Sequence, residues 1–316
     1  KTRLLGTATG STTEERFTRF VNDSLMNPDW IRKTLQAYPV LARMLATVTD
    51  FAVEAWSELI SRLARDFDAL QTNRLLLVNA STLVSVRTDR GDRHGDGRAV
   101  AILEFDSGER LVYKPRPMSM AARFQDFLRW LAAEGLNPPL RVINILDKGE
   151  YGWAEFVAPS ACADVAGAKR FYLRQGILLA ILYMLDATDC HMENIVASGE
   201  FPVLVDLETL FHNQPDLSGG NSSTNAVRDA ALAQTVLRVA FLPQPFEGPG
   251  GIADFSALGS DGEDQKTPFL VPKWQGQGTD EMRMVTDSPG VLLAGRNVPI
   301  LLQKSAATDG RSAISL

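Results

Sequence analysis

Hydrophobic positions in the first seventy residues recur at helical spacing. Ser11 with Glu14, or Thr12 with Glu15, offers a capping box before an amphipathic segment at 16–25, and Pro28 suits the first turn of a second helix. Trp30, Leu35, Val40, Leu41, Met44, Leu45 and Val48 continue the helical pattern, and a third apolar-periodic stretch covers 51–70. After Asn73 the period shortens. Residues 75–78 and Leu83–Arg87 read as strands, a polar loop follows at 88–97, and 100–105 alternates as a strand. Ser107-Gly108 makes a turn into the strand Arg110–Lys114. Apolar spacing predicts a helix over 119–136, strands over 141–146 and 153–157, and a long helix over 164–185 that is apolar nearly all round and so expected to be buried. Residues 195–197 and 203–206 bracket Gly199 as a short hairpin, and 224–239 reads as helix. From Leu242 onward Gly and Pro are frequent, periodicity fades, and long loops are expected.

This succession is the order of a kinase-like fold, in which a small sheet-based lobe precedes a larger helical lobe and nucleotide binds between them. The expected class is α+β and bilobal. Residues 1–72 form a helical extension, 73–158 the small nucleotide-binding lobe, and 159–316 the catalytic lobe, incomplete at its C-terminus.

Composition narrows the picture by exclusion. The 316 residues are 45% hydrophobic and 22% charged, ordinary for a globular chain. Thirty-two Lys and Arg against 38 Asp and Glu leave a net charge of −6, which gives no electrostatic footprint for nucleic acid. Cys162 and Cys190 make neither a disulfide scaffold nor a four-thiolate zinc site and suggest a reducing, cytoplasmic setting. The longest apolar run, at 177–185, is too short to span a bilayer. No signal peptide is visible, and a chain that begins at Lys1 is expected to be a fragment.

Candidate chemistry falls where a kinase would place it. Lys114 ends a strand in LVYKPRP and can meet nucleotide phosphates; the plainer alternative is a solvated strand lysine. In TDCHMENIVASGEFPVLVDLETLF, Asp189 precedes Asn194 by five positions, the spacing at which a catalytic loop sets a base and a metal-binding amide. Asp206 follows the strand PVLV, and Glu208 lies on the same side of an extended chain, so Asn194, Asp206 and Glu208 supply the oxygen ligands that Mg²⁺ prefers. His191 can orient the base, contact phosphate or touch metal; the plainer alternative is a histidine that only braces the loop. His212 is read as structural or exposed. The loop DRGDRHGDGR carries three glycines, which permit close backbone approach to phosphate, beside the acid–base pair Asp92 and His94. Residues 152–159 occupy the hinge position, where Trp153, Glu155 and Val157 suit an edge strand whose backbone can bond adenine.

RHGDGRAVAILEFDSGERLVYKPRPM, EYGWAEFV and FYLRQGILLAILYMLDATDCHMENIVASGEFPVLVDLETLF together resemble the dehydratase domain of class II lanthipeptide synthetases. The resemblance is strong from Asn79 to Phe211. It implies a lipid-kinase-like core that uses ATP and Mg²⁺ to phosphorylate Ser and Thr of a ribosomally made precursor peptide with its leader. Phosphate is then eliminated to leave dehydroalanine or dehydrobutyrine. It also implies a bacterial cytoplasmic enzyme and a C-terminal, zinc-dependent cyclase domain in the same polypeptide. No Cys-Cys-His zinc set for that domain occurs in this chain. By motif, Lys114 and Glu155 would bind nucleotide, Asp189 would be the phosphorylation base, and His191, Asn194, Asp206 and Glu208 would hold metal and phosphate. Asp92 and His94 would serve elimination. The Arg and Thr that the family also uses in elimination have no matching segment before Leu316. The competing readings are a plain kinase-like phosphotransferase, which would leave a stable phosphopeptide, and a nucleotide- and peptide-binding module without catalysis.

Overall fold

The computed structural model describes residues 9–77, 79, 82–88, 93–211, 234–259, 262–292, 294–302 and 311–313, with backbone alone at 93–94, 302 and 311–313. The architecture is α+β, as expected. Helix α1 (Thr13–Phe20) is capped by Thr12, whose hydroxyl accepts from the Glu15 N–H at 3.1 Å. Glu15 reaches back one residue further than an ideal box, to the N–H and hydroxyl of Ser11 at 2.8 and 2.6 Å. A π-helical turn, Val21–Leu25, follows, and Asn27 caps α2 (Pro28–Ala37).

The apolar pattern from Trp30 to Val48 is not one helix. The ring of Pro39 drives Tyr38 out of the helical region, to φ −126° and ψ 71°, and ends α2. Helix α3 (Pro39–Thr72) then runs 34 residues without a break, so the expected third stretch is its second half. That half alone is packed. Leu59, Leu63 and Leu70 are buried against the sheet, whereas Val40, Met44 and Val48 are more than half exposed.

Residues 75–77 are not a strand. The N–H groups of Leu75 and Leu76 bond back to the Leu70 carbonyl at 2.9 and 3.3 Å, closing α3 and burying both leucines, while Val78 lies outside the described residues. The strands that follow are β1 (Leu83–Arg87), the short pair β2 (Arg93–His94) and β3 (Arg98–Ala99), β4 (Ala101–Phe105), β5 (Arg110–Lys114), β6 (Ile145–Asp147) and β7 (Gly152–Glu155). Five of them form an antiparallel sheet in the order β1-β4-β5-β7-β6. Strand β7 is therefore internal, not the expected edge: β5 pairs with one side and β6 with the other. The pleat sends Ala101, Leu103, Phe105, Leu111, Tyr113 and Trp153 into one core with α3. Asp66 of α3, 1% exposed, locks that core: it accepts from the Tyr151 hydroxyl at 2.6 Å and the Trp153 indole at 2.9 Å, and pairs with Lys148 at 3.0 Å.

Helix α4 (Ser119–Ala133) and helix α5 (Val165–Met184) pack with the hairpin β8 (Ile195–Ser198) and β9 (Phe201–Leu204) around a second core containing Phe124, Leu128, Leu178, Leu182, Ile195 and Leu204. Helix α5 is not buried all round, since Leu173 is 55% and Met184 72% exposed. Of the helix expected at 224–239, residues 224–233 lie outside the described residues, and Val236–Val239 is one 3₁₀ turn.

The expected loops of the tail are instead hairpins: β10 (Pro245–Gly248) with β11 (Gly251–Asp254), β12 (Gln265–Gln275) with β13 (Arg283–Leu292), and β14 (Ile300–Leu302) with β15 (Arg311–Ala313). Pro268, Pro272 and Pro289 mask the β12–β13 pattern. They are tolerated because this ribbon has only two strands, so a missing N–H can face outward. Its tip joins α1, where Arg16 donates twice to the Asp280 carboxylate at 2.8 and 3.1 Å. Among the described residues, no helix is long and apolar enough to cross a membrane.

Candidate functional site

Alternation along β5 sends Tyr113 into the core beneath α3 and Lys114 to the opposite face. There Lys114 is 5% exposed, which excludes a solvated strand lysine. Its Nζ donates to the Val205 carbonyl at 2.8 Å and to Asp206 Oδ2 at 3.1 Å, linking the five-stranded sheet to the β8–β9 hairpin. The hairpin register explains the rest of this contact. Because Ile195 pairs with Leu204, the chain just before β8 and just after β9 lies side by side, and the Val205 N–H donates to the Asn194 carbonyl at 2.9 Å. Asn194 and Asp206, twelve positions apart in sequence, thus flank one end of the hairpin.

Arg116, which spacing alone does not single out, completes the cluster. One terminal nitrogen of its guanidinium lies 2.7 Å from Asp206 Oδ1 and 2.7 Å from Glu208 Oε1, so the two carboxylates converge on one cation. The signal was present in Lys114-Pro115-Arg116-Pro117: prolines favour extended backbone, which puts residues two apart on one side. Burial works against the charge on Asp206, but Lys114 and Arg116 outweigh it and hold the carboxyl below its usual range. Burial also dominates at Lys114 and lowers the amine below its usual value, although Asp206 opposes this.

The loop before β8 holds Asp189 in the left-handed region at φ 58°, a conformation that Asp and Asn tolerate better than most residues. The chain fixes it there from several directions. The Asn194 side-chain amide donates to the Asp189 carbonyl at 2.8 Å, the Thr188 N–H to Thr209 O at 3.2 Å, and the Cys190 N–H to Val239 O at 2.9 Å. The Asp189 side chain is 61% exposed, so a held backbone presents an exposed carboxylate. His191 Nδ1 accepts from the Glu193 N–H at 3.3 Å, which leaves Nε2 to carry the proton, 3.6 Å from Asp189 Oδ1. Cys190, next in the chain, is buried, and its thiol is pushed up to about 12 by desolvation, with Asp189 and Asp206 adding to the shift.

Not every predicted residue joins this group. Glu155 lies at the other end of the β5–β7 pairing from Lys114, which sits opposite Gly152. Its carboxylate accepts from Arg141 at 2.5 Å and from the Asn144 N–H at 3.1 Å, and Arg141 also donates to Ser198 at 2.6 Å. Glu155 thereby ties β7 to the β8–β9 hairpin. His94 has its backbone in β2, paired with Arg98. Asp92 and His212 lie outside the described residues.

The donors suit a hard cation that keeps part of its water shell. Asp206, Glu208 and Asn194 offer carboxylate and amide groups, and among the described residues no set of three His, Cys, Asp or Glu forms a protein-only cage. Mg²⁺ characteristically takes one or two carboxylates and completes its shell with water and substrate phosphates. Lys114 and Arg116 beside those carboxylates suit the phosphates themselves.

A family model described as "Domain of unknown function (DUF4135)" matches residues 38–309, most of the chain. The "Lacticin 481/lactococcin biosynthesis protein LcnDR2" of Lactococcus lactis subsp. lactis is 26% identical over 245 residues, covering 74% of this chain and 26% of that protein. The chain thus spans about a quarter of that relative's length. It belongs to the DUF4135 family, and both findings bear out the resemblance to the dehydratase-type domain of lanthipeptide synthetases.

Proposed function

We propose that this DUF4135 member is the dehydratase domain of a lanthipeptide synthetase, with a lipid-kinase-like bilobal core whose nucleotide lies between the five-stranded sheet and the α5/β8–β9 region. It phosphorylates Ser and Thr of a ribosomal precursor peptide at the expense of ATP, then eliminates phosphate. One observation carries the reading: buried Lys114 from β5 meets Asp206 from the end of β9, with Asn194 beside it and the exposed Asp189 held at left-handed backbone in the preceding loop. A structural ion pair alone needs neither the strained loop nor the exposed carboxylate. Similarity to a lantibiotic biosynthesis protein supplies the peptide context.

In this mechanism Asp189 takes the proton as the peptide hydroxyl oxygen bonds to the γ-phosphorus and the bond to the ADP oxygen breaks. His191 orients that carboxylate through Nε2. Lys114 carries positive charge to the phosphates, and Asn194, Asp206 and Glu208 would hold Mg²⁺. When bound, Mg²⁺ neutralises charge on the phosphoryl oxygens. Elimination removes the α-proton, forms the Cα=Cβ bond and releases phosphate from Cβ. Asp92 and His94 are the proposed groups for that step. The proposed setting is the bacterial cytoplasm, with the leader-bearing precursor as substrate and a cyclase domain as partner.

Incubation with ATP, Mg²⁺ and the precursor peptide tests the reading by intact mass. An ~80 Da gain per site reports phosphorylation and an ~18 Da loss reports completed elimination. No mass change from folded protein that binds the peptide favours the non-catalytic module. A gain that never becomes a loss, in the chain and in its longer parent alike, favours a plain phosphotransferase.

A further inference from the structure

Arg116 has a feature that its ion pairs do not explain. Its Nε is buried and has no hydrogen-bond partner among the described residues, while a terminal nitrogen of the same guanidinium is shared between Asp206 and Glu208. A buried guanidinium N–H without an acceptor is costly, and a group that served only to neutralise two carboxylates has no need to aim another donor elsewhere. Arg116 stands two residues beyond Lys114 between two prolines, which restrict the backbone that carries it while its long side chain keeps its own rotations. A planar fork of donors beside two carboxylates matches a phosphoryl group that itself binds a metal.

We propose that Arg116 is a phosphoryl-oxygen ligand that exchanges partners, bridging Asp206 and Glu208 before nucleotide arrives and turning to a phosphoryl oxygen when a divalent cation takes those carboxylates. The inference rests on the nucleotide-binding reading above. It assigns Arg116 a contact with substrate and makes the carboxylates a competing ligand for the same guanidinium. Metal and phosphate then enter together, because each removes a partner that the other needs removed.

The test uses Arg116→Gln and Arg116→Lys in the full chain, with calorimetric titrations of Mg²⁺ alone, of ADP with Mg²⁺, and of a phosphoserine peptide with Mg²⁺. Partner exchange gives opposite signs in Arg116→Gln: Mg²⁺ alone binds tighter because its competitor is gone, and ADP with Mg²⁺ binds about ten-fold weaker or more because a charge-assisted contact is lost. Arg116→Lys, which keeps the charge but loses the fork, lies between. Weakening confined to the phosphoserine peptide supports the same contact and assigns it to the phosphorylated product. Tighter binding of Mg²⁺ and of ADP together shows a mere placeholder and overturns the proposal, as does unchanged or uniformly weaker binding of every probe with an unaltered melting curve. If wild type binds Mg²⁺ but neither phosphorylated probe, the nucleotide reading itself falls and takes this contact with it. If wild type binds them and Arg116→Gln binds them equally, only the Arg116 assignment falls.

Discussion

Asp66 and Asp206 both hold their carboxylates among cations and donors, and their surroundings differ. Asp66 is closed. It accepts from Tyr151 and Trp153, pairs with Lys148, and sits in a sealed core. Asp206 is open. Its side chain is 26% exposed, its partners Lys114 and Arg116 come from the end of β5 and the segment just after it, and among the described residues Arg116 keeps a buried donor without an acceptor. Both carboxyls are held below the usual range against the opposing effect of burial, Asp66 by hydrogen bonds and Lys148, Asp206 by two cations. A depressed aspartate therefore does not by itself mark a functional site. The surroundings must be read as well: among the described residues Arg116 beside Asp206 keeps a buried Nε–H unmet, a state that Arg238 Nε beside Asp186 shares.

The sharpest way to break the comparison is to change chemistry without touching support. Asp189→Asn should lower phosphoryl transfer by about 10²–10⁴-fold. It should leave the melting temperature unchanged, because the side chain is exposed and Asn tolerates the same left-handed backbone. Equal rates for Asn and Asp in a single-turnover assay would remove Asp189 from the mechanism. The converse change is Asp66→Ala, which strands the Tyr151 hydroxyl and the Trp153 indole in the core. It should cost about 3 kcal/mol in urea unfolding while sparing nucleotide affinity of the folded fraction. A loss of affinity at full folding would mean that the two regions are not separate.

Acid should affect both regions in the same direction. Each aspartate binds its proton less readily when folded than when unfolded, so the unfolded chain takes up more protons as pH falls. The stability they contribute is complete above the ordinary aspartate value of 3.8 and is lost as pH drops below it, through the depressed folded values. Arg116→Gln removes one cause of the Asp206 depression and should flatten that acid loss, whereas Asp66→Ala should remove the contribution of the other site; parallel acid titration curves for wild type and both variants would contradict this. The smallest expected effect is on the thiols. Cys190 is buried with its thiol pushed up to about 12, and burial also raises Cys162. Neither should be alkylated at pH 8 until the protein unfolds, a thiolate being the reactive form. Rapid labelling of Cys190 alone would report local opening of the Asp189 loop.

Much of the site was legible because its spacing is local. Asp189 and Asn194 share one loop, and Asn194 and Asp206 flank one hairpin whose Gly199 turn is plain in the pattern. Lys114 was legible as the end of an alternating strand. Arg116 was overlooked because its meaning depends on where two distant carboxylates arrive. The position of β7 inside the sheet was illegible for a related reason. The pattern of 153–157 does not reveal that the short Ile145–Asp147 strand takes the outer place. In the tail, prolines obscured strands that a two-stranded ribbon tolerates.

Taken alone, the sequence determined the α+β class, a helix start at Ser11 or Thr12 and another at Pro28, and the β8–β9 hairpin, and it singled out Lys114, Asn194 and Asp206. These follow from caps, turns and alternation, which act over a few residues. Tertiary structure decided which half of α3 is covered, that Glu155 braces the hairpin, that Lys114 is buried, and that Arg116 joins two carboxylates with a donor to spare. Those outcomes depend on packing between segments about ninety positions apart, 92 for Lys114 and Asp206 and 90 for Arg116 and Asp206, and no local periodicity encodes which charge such a contact will meet.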